Sequence, residues 1–87
     1  MDIEGRILQS LRPRRDGILL RSDVNDFGSA TQVSAALKAL VEKVLITRLD
    51  RGVYAKPDKV EQIGRQALLE LAMAKMEQKR TQDLKQA

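Results

Sequence analysis

The segment from residue 30 to residue 43 constrains the fold of this chain more than any other part of the sequence. Its apolar residues recur at helical spacing and occupy one narrow face, namely Val33, Ala36, Leu37, Leu40 and Val41. Ser29 precedes the segment, and Gln32 follows three residues later, which is the spacing of a capping box. An amphipathic helix is therefore predicted. The side that should face outward carries Thr31, Gln32, Ala35 and Lys38.

Three shorter elements are predicted before this helix. Asp2 can cap a first helix, and Pro13 ends it because the residue before a proline is disfavoured in helical conformation. Residues 18–20 are a brief apolar run typical of a strand. Ser22 is a candidate cap for a short helix that Gly28 terminates. A Gly-containing turn thus joins a short helix to the amphipathic one.

A β-hairpin is predicted directly after the amphipathic helix. The segments flanking Asp50-Arg51-Gly52 are aliphatic and β-branched, and this tripeptide is a tight turn with glycine supplying positive φ. Pro57 ends the hairpin. A last helix follows, with its first half packing on the domain through Val60 and Ile63.

This order of elements predicts a mainly α fold with a small β-hairpin, an α+β class. A helix pair joined by a short turn is a helix-turn-helix, and a hairpin after it is a wing. The predicted organisation is a winged helix-turn-helix over residues 1–57, a C-terminal helix over residues 58–78 and a flexible tail over residues 79–87.

The composition limits the chemistry of the chain. Its 87 residues include no Cys and no His, which removes disulfides, thiolate or imidazole catalysis and the usual zinc sites. No signal peptide or membrane-spanning run is present, and no phosphate-cradling glycine loop occurs. We therefore expect a cytoplasmic protein that is not an enzyme and needs no cofactor, metal or small-molecule substrate. The formal net charge of +4 is typical of a protein with a polyanionic partner.

Together the helix-turn-helix and the hairpin predict a surface for double-stranded DNA. The second helix of such a pair fits the major groove, and the hairpin reaches the adjacent minor groove or backbone. The predicted base or phosphate contacts are Thr31, Gln32, Ala35 and Lys38 on the helix, with Arg48 and Arg51 on the wing. Phosphate contacts, which add affinity without sequence information, are predicted for Arg14, Arg15 and Lys56.

Purely structural interpretations stay open for these residues. A polar helix side is typical of an ordinary solvated face, and a charge at a hairpin tip discourages edge pairing. Basic residues after the first helix complement its C-terminal end. The joint placement of basic groups beside one exposed helix face favours DNA binding.

The last helix is predicted to have more apolar surface than one small domain can cover. A second copy of the chain is the predicted cover, giving a twofold homodimer. Its dimerisation residues would be Leu68, Leu71, Ala72 and Met76. The alternative is that all four pack internally.

Two stretches carry a resemblance to a known family. Residues 18–29, with the sequence Ile-Leu-Leu-Arg-Ser-Asp-Val-Asn-Asp-Phe-Gly-Ser, resemble the opening of the winged-helix domain in AbiEi-type antitoxins of type IV toxin–antitoxin systems and related plasmid and phage regulators. Residues 33–43 and the ending Arg-Gly-Val-Tyr-Ala-Lys-Pro at 51–57 are similar to the same domain. The resemblance covers residues 3–57.

The resemblance implies a domain that binds DNA and represses its own operon. The family's recognition-helix positions correspond to Thr31, Gln32, Ser34, Ala35 and Lys38, and its wing corresponds to Arg48 and Arg51. Family members usually have glycine where this chain has Val44, so the helix before the wing must end differently here or under strain. Such antitoxins also carry a larger C-terminal domain, whereas one helix and a tail follow Pro57 here, which implies a stand-alone regulator.

The sequence therefore predicts a transcriptional repressor or antitoxin-type autoregulator that occludes an operator. Two alternatives stay open. The first is a winged-helix module that binds a partner protein along its last helix. The second is a DNA-organising accessory protein of plasmid maintenance or transfer.

Overall fold

The structure is a computed structural model that describes the backbone of residues 2–86 and the side chains of residues 2–79. Its elements in chain order are α1 Ile3–Leu11, β1 Ile18–Leu20, a 3-10 helix Arg21–Phe27, α2 Ala30–Glu42, β2 Thr47–Asp50, β3 Val53–Ala55, α3 Pro57–Ile63 and α4 Arg65–Gln86. The predicted α+β class is confirmed.

Capping explains where the helices begin. Asp2 Oδ1 accepts the amide of Gly5 at 2.8 Å, and the predicted Ser29–Gln32 capping box is formed in both directions. The start of the 3-10 helix differs from the expectation, because the side chain that caps it belongs to Asp23 and not to Ser22. Asp23 Oδ2 accepts the amide of Leu20 at 2.9 Å.

The hairpin belongs to a three-stranded antiparallel sheet in the order β1-β3-β2. The returning strand β3 lies in the centre, with Ile18 opposite Ala55 on one side and Thr47 opposite Ala55 on the other. A helix, a strand, a helix pair and a hairpin that pairs back to the first strand follow one another, which is the order of elements predicted from the sequence.

Both faces of the sheet are covered, which gives the chain two aliphatic clusters. The first cluster lies among α1, the 3-10 helix and α2, and its largest fully buried side chains are Ile7, Leu19, Val24, Val33, Leu37, Leu40 and Ile46. The second cluster lies between the sheet and α4, and consists of Ile18, Leu20, Leu49, Val53, Ala55, Leu68 and Ala72. Successive residues of β1 alternate between the two, as a strand requires.

The predicted single C-terminal helix is two helices. Gly64 separates α3 from α4 with φ +88° and ψ 155°, a region open essentially only to glycine. Pro57 occupies the first position of α3, where its missing N–H costs nothing. The break shifts the helical phase, so α3 and α4 present different faces to the sheet.

This change of phase corrects the predicted roles of the C-terminal apolar residues. Leu68 and Ala72, predicted at a dimer interface, are fully buried against the sheet of their own chain. Ile63, predicted to pack inward, is 46% exposed. Of the four predicted dimerisation residues, only Leu71 and Met76 are exposed, at 47% and 42%.

The predicted end of the last helix at residue 78 is also wrong, because α4 extends to Gln86. The run after Met76 lacks apolar spacing, but Glu, Gln, Lys and Arg are good helix formers, so a helical backbone is favoured there without it. The predicted flexible tail at 79–87 falls partly outside the described residues: Ala87 entirely, and the side chains from residue 80 onward.

Val44 closes α2 in the left-handed region. Its φ of +59° is the one positive value at a non-glycine residue in the described part of the chain. The amide of Leu45 donates to the Leu40 carbonyl at 3.0 Å, and the amide of Val44 donates to the Val41 carbonyl at 3.0 Å. These two bonds form a Schellman motif, which usually has glycine at this position. The predicted strain at the end of this helix is therefore present.

Val44→Gly is expected to stabilise the protein. The left-handed backbone conformation costs an L-residue about 1–2 kcal/mol, and glycine avoids this cost. Glycine also has a larger conformational entropy in the unfolded state, which offsets about 0.4–1 kcal/mol of the stabilisation. Val44 is 70% exposed, so little packing is lost. A rise of up to about 1 kcal/mol in unfolding free energy, or about 4–8 °C in Tm, should appear in thermal denaturation. Val44→Ala keeps a Cβ at positive φ and should not reproduce the gain.

Candidate nucleic-acid interface

The outward side of α2 is exposed as predicted. Thr31, Ser34, Ala35 and Lys38 all have exposed side chains. Gln32 is exposed too, but its Oε1 accepts the amide of Ser29 at 3.0 Å in the capping box. Reading an adenine edge needs both the oxygen and the nitrogen of the amide, so base readout by Gln32 would have to displace this cap.

A cleft of about 620 Å³ separates α2 from the hairpin and brings together all three predicted cations of the helix and the wing. Among the described residues that line it, four are cationic and none is acidic. The cations are Arg21, Lys38, Arg48 and Arg51. Ser34 and Tyr54 also line the cleft, above the apolar side chains of Leu37 and Val41. The cleft is thus a positively charged channel open to a polyanion.

Arg21 is the member of this cleft that sequence reasoning missed. Its guanidinium donates to Asn25 Oδ1 at 2.7 Å, to the Ala30 carbonyl at 3.2 Å and to Ser34 Oγ at 3.4 Å, so it ties the 3-10 helix to the start of α2. Its backbone amide donates to the Gly52 carbonyl at 2.9 Å. Arg21 therefore joins the helix pair to the wing turn. The only sequence signal was a basic residue at the junction of β1 and the next helix.

The wing is a twisted hairpin with a tight tip. Gly52 has φ +73°, as the turn requires, and Asp50 Oδ1 accepts the amide of Arg51 at 2.7 Å. The register shifts between Arg48 and Asp50, which makes Leu49 the extra residue of a β-bulge. Bulges bend a strand and increase its local twist. Arg48 and Arg51 are exposed on either side of this bulge.

The three predicted phosphate contacts lie away from the cleft. Lys56 Nζ donates to the backbone carbonyls of Arg12 and Arg14, so this amine caps the end of α1. Arg14 pairs with Asp23 at 3.5 Å and is mostly buried. Lys56 follows β3 at the end of the sheet opposite the wing turn. Arg15 is exposed in the loop beside it, at the same end.

The other side of α2 has the opposite electrostatic character. A depression of about 450 Å³ there is bordered by Asp2 and Glu4 together with Gln32 and Ala35. Glu4 accepts a hydrogen bond from Lys43 at 2.7 Å, and this bond raises the pKa of Lys43 above its ordinary value. The folded state holds the Lys43 proton more tightly than the unfolded state does. The ion pair therefore adds to the stability of the fold at neutral pH, and this stabilisation is lost as the pH rises through the raised pKa of Lys43. A polyanion is therefore favoured on the cleft side of α2.

Two further properties concern only the part of the chain that the structure describes. Within it, no three His, Cys, Asp or Glu side chains are grouped so that they could hold a metal ion. None of its helices combines the length and the apolar character that crossing a bilayer requires.

Taken together, the fold and the cleft define a small α+β protein with a helix-turn-helix, a basic hairpin and two C-terminal helices. The chain belongs to a family of unknown function, DUF6088, which matches residues 6–84. The matched region extends from α1 into α4, so both C-terminal helices are part of the family's domain. The chain has no significant match among curated proteins or solved structures. The resemblance to AbiEi-type antitoxins stays a prediction.

Proposed function

We propose that this protein binds double-stranded DNA through α2 and the β2–β3 wing. The observation that carries the proposal is the single cleft in which Lys38 and Ser34 of α2 face Arg48 and Arg51 of the wing, with no acidic residue among its described lining residues. Basic groups clustered on one face are the electrostatic footprint of a nucleic-acid-binding domain. A helix beside a hairpin supplies one element for the major groove and one for the neighbouring backbone or minor groove.

Position within the cleft suggests different roles for its residues. Lys38 and Ser34 project from a helix that fits the major groove, so they are the candidates for base contacts. Arg48 and Arg51 are candidates for the phosphates or the minor groove beside it. Thr31 is exposed near the start of α2, where it can meet a base edge. Ala35 borders the acidic depression and is therefore a weaker candidate for contact with a thymine methyl. Gln32 is a weaker candidate for base contact because its side chain caps α2. Arg14 and Lys56 are weaker candidates for phosphate contact because their side chains bond within the protein.

The biological role that we propose is a cytoplasmic transcriptional repressor that acts on its own operon, in the manner of an antitoxin. Occlusion of an operator requires no cofactor and no catalytic step. A DNA-organising accessory role in plasmid maintenance or transfer uses the same surface and differs in the sites that are bound. A protein-interaction module is the remaining alternative, and it predicts no affinity for duplex DNA.

Fluorescence anisotropy with a labelled duplex from the native upstream region tests this function. Binding should be tighter than to an unrelated duplex of equal length, and it should weaken steeply between about 50 and 200 mM salt because contacts with the phosphates release counterions. Lys38→Ala should reduce the difference in affinity between the native and the unrelated duplex. If the native duplex is not bound even at low salt, the DNA-binding proposal is wrong and the interaction module takes its place.

We further propose that the protein is a homodimer that pairs through α4. Leu71, Met73 and Met76 are 47%, 65% and 42% exposed on this helix, and no other element of the described chain covers them. Leu71 lies on one flank of the buried side of α4, whereas Met73 and Met76 lie on the other. A second α4 packed along one flank would cover part of this apolar area, and the pair would have the twofold symmetry of a palindromic operator. The residues differ from those first predicted, since Leu68 and Ala72 are internal.

The double substitution Leu71→Gln and Met73→Gln is expected to convert a dimer to a monomer. It leaves the second core untouched because both side chains lie outside it. Sedimentation equilibrium should give twice the chain mass for the wild-type protein and the chain mass for the variant. A wild-type protein that sediments as a monomer at tens of micromolar concentration would remove the dimer from the proposal without affecting the DNA-binding cleft.

A further inference from the structure

The wing is held from behind by the first residue of α4. Arg65 Nη2 donates to the carbonyl oxygen of Leu49 at 2.6 Å. Leu49 is the bulge residue of β2, the one that the register with β3 leaves over. The extra residue of a bulge lies outside the ladder of strand pairing. Its carbonyl here accepts a hydrogen bond from a different element, the C-terminal helix.

Arg65 is fixed in place from both directions along the chain. Gly64 just before it has the glycine-only backbone conformation that lets α4 start at a new angle. One turn later, Leu68 is fully buried in the same cluster as Leu49 and Val53, which anchors α4 on β2 and β3. The backbone that carries the Arg65 guanidinium is therefore held in place beside the bulge. A charged donor to a carbonyl is stronger than a neutral one.

Arg65 also lies beside both wing arginines. It lines a depression of about 240 Å³ together with Arg48, Leu49, Asp50 and Arg51. The bulge separates Arg48 from Arg51, so its bend and twist determine how far apart and in which direction the two guanidiniums point. A contact that fixes the bulge consequently fixes the geometry of the wing relative to α2.

We propose that Arg65 is a positioning residue through which α4 sets the direction of the wing. Its consequence for DNA rests on the proposed function, whereas its effect on the wing does not. The C-terminal helix is then part of the DNA-binding device without touching DNA. Anything that displaces α4 from the sheet would loosen the wing and lower affinity.

Hydrogen exchange measured by mass spectrometry, together with duplex affinity, tests this role in the full chain. Arg65→Gln removes the charged donor, Arg65→Lys retains a charged donor, and Arg12→Gln removes the same charge at an exposed position at the opposite end of the sheet. Exchange across residues 47–55 should accelerate about tenfold in Arg65→Gln, the effect of losing one charge-assisted bond, with α1 and α2 unchanged. The lysine variant should return it towards the wild-type rate. Duplex affinity should fall about tenfold in Arg65→Gln, beyond any loss in Arg12→Gln.

The outcomes separate the positioning role from its alternatives. If the hydrogen-exchange rates of the wing are unchanged in Arg65→Gln, the proposal is overturned. A large loss of duplex affinity in that case would mean that Arg65 contacts DNA directly. Acceleration spread over the whole chain also overturns it, because Arg65 would then be a general stabilising residue. If the wild-type protein binds no duplex, the proposed function fails, yet the exchange rates of residues 47–55 still decide whether Arg65 positions the wing.

Discussion

Replacing both Arg48 and Arg51 with alanine is expected to weaken binding to the native duplex about 30-fold at low salt, from about 1 kcal/mol for each lost contact. Both side chains are exposed on the wing and line the cleft beside Lys38. Fewer counterions are released when two cations are lost, so the slope of log affinity against log salt should become shallower by about 2. Anisotropy titrations at three or four salt concentrations measure both quantities.

The matched control removes two exposed arginines from the other end of the sheet. Arg12→Ala with Arg15→Ala lowers the net charge by the same amount, but these residues lie in the loop after α1, beside Lys56 and away from the wing turn. Arg15 is a predicted phosphate contact, so a small loss, equal for all duplexes, is expected. Equal losses in the two double variants would mean that net charge and not the cleft drives binding.

The part of the site that the sequence predicts well is the part built from local chemistry. The α2 helix follows from apolar spacing within 13 residues and from a cap whose two partners are three positions apart. The wing turn follows from a glycine in a tripeptide, and its strands from β-branched residues. Each depends on neighbours in the chain, so spacing alone is sufficient. The exposure of Ser34 and Lys38 then follows because the opposite side of the helix is buried.

Long-range pairing explains what the sequence does not predict. Residues 18–20 read as a strand, but nothing in them specifies that β3 is their partner. The same limit applies to Arg21 and Arg65, whose roles depend on where a long side chain ends in space. It applies equally to Lys56, which resembles a phosphate contact in the sequence although its amine caps α1.

A single backbone conformation accounts for the errors in the C-terminal region. If residues 58–78 formed one continuous helix, Ile63 would lie on its inner side, and Leu68 and Ala72 would lie outside. Gly64 ends that continuity, and an isolated glycine in a helical pattern is weak evidence for a break because helices tolerate it at a cost of about 1 kcal/mol. Burial then reverses: Leu68 and Ala72 are inside, and Ile63 is exposed.

This reversal leads to the largest expected effect on stability. Leu68→Ala should lower the free energy of unfolding by about 2–5 kcal/mol, because it empties a fully buried site between α4 and the sheet. Small domains have a total stability of only about 5–15 kcal/mol, so the loss is a large fraction of it. A fall in Tm of roughly 10–30 °C, followed by circular dichroism, is the expected result. The wing should loosen as well, since Leu68 anchors the turn of α4 that carries Arg65.

Leu71→Ala is the matched control, because it removes the same atoms three residues further along the same helix. Leu71 is 47% exposed, so its truncation should change the unfolding free energy by no more than about 0.5 kcal/mol in the monomer. A dimer held through α4 would add a cost for Leu71→Ala that grows with protein concentration, whereas the cost of Leu68→Ala should be the same at every concentration. The reverse pattern, with Leu68 tolerant and Leu71 costly, would place Leu68 at a subunit interface. The second core would then not form within one chain, and α4 could not hold the wing in the way that the contact of Arg65 with Leu49 requires.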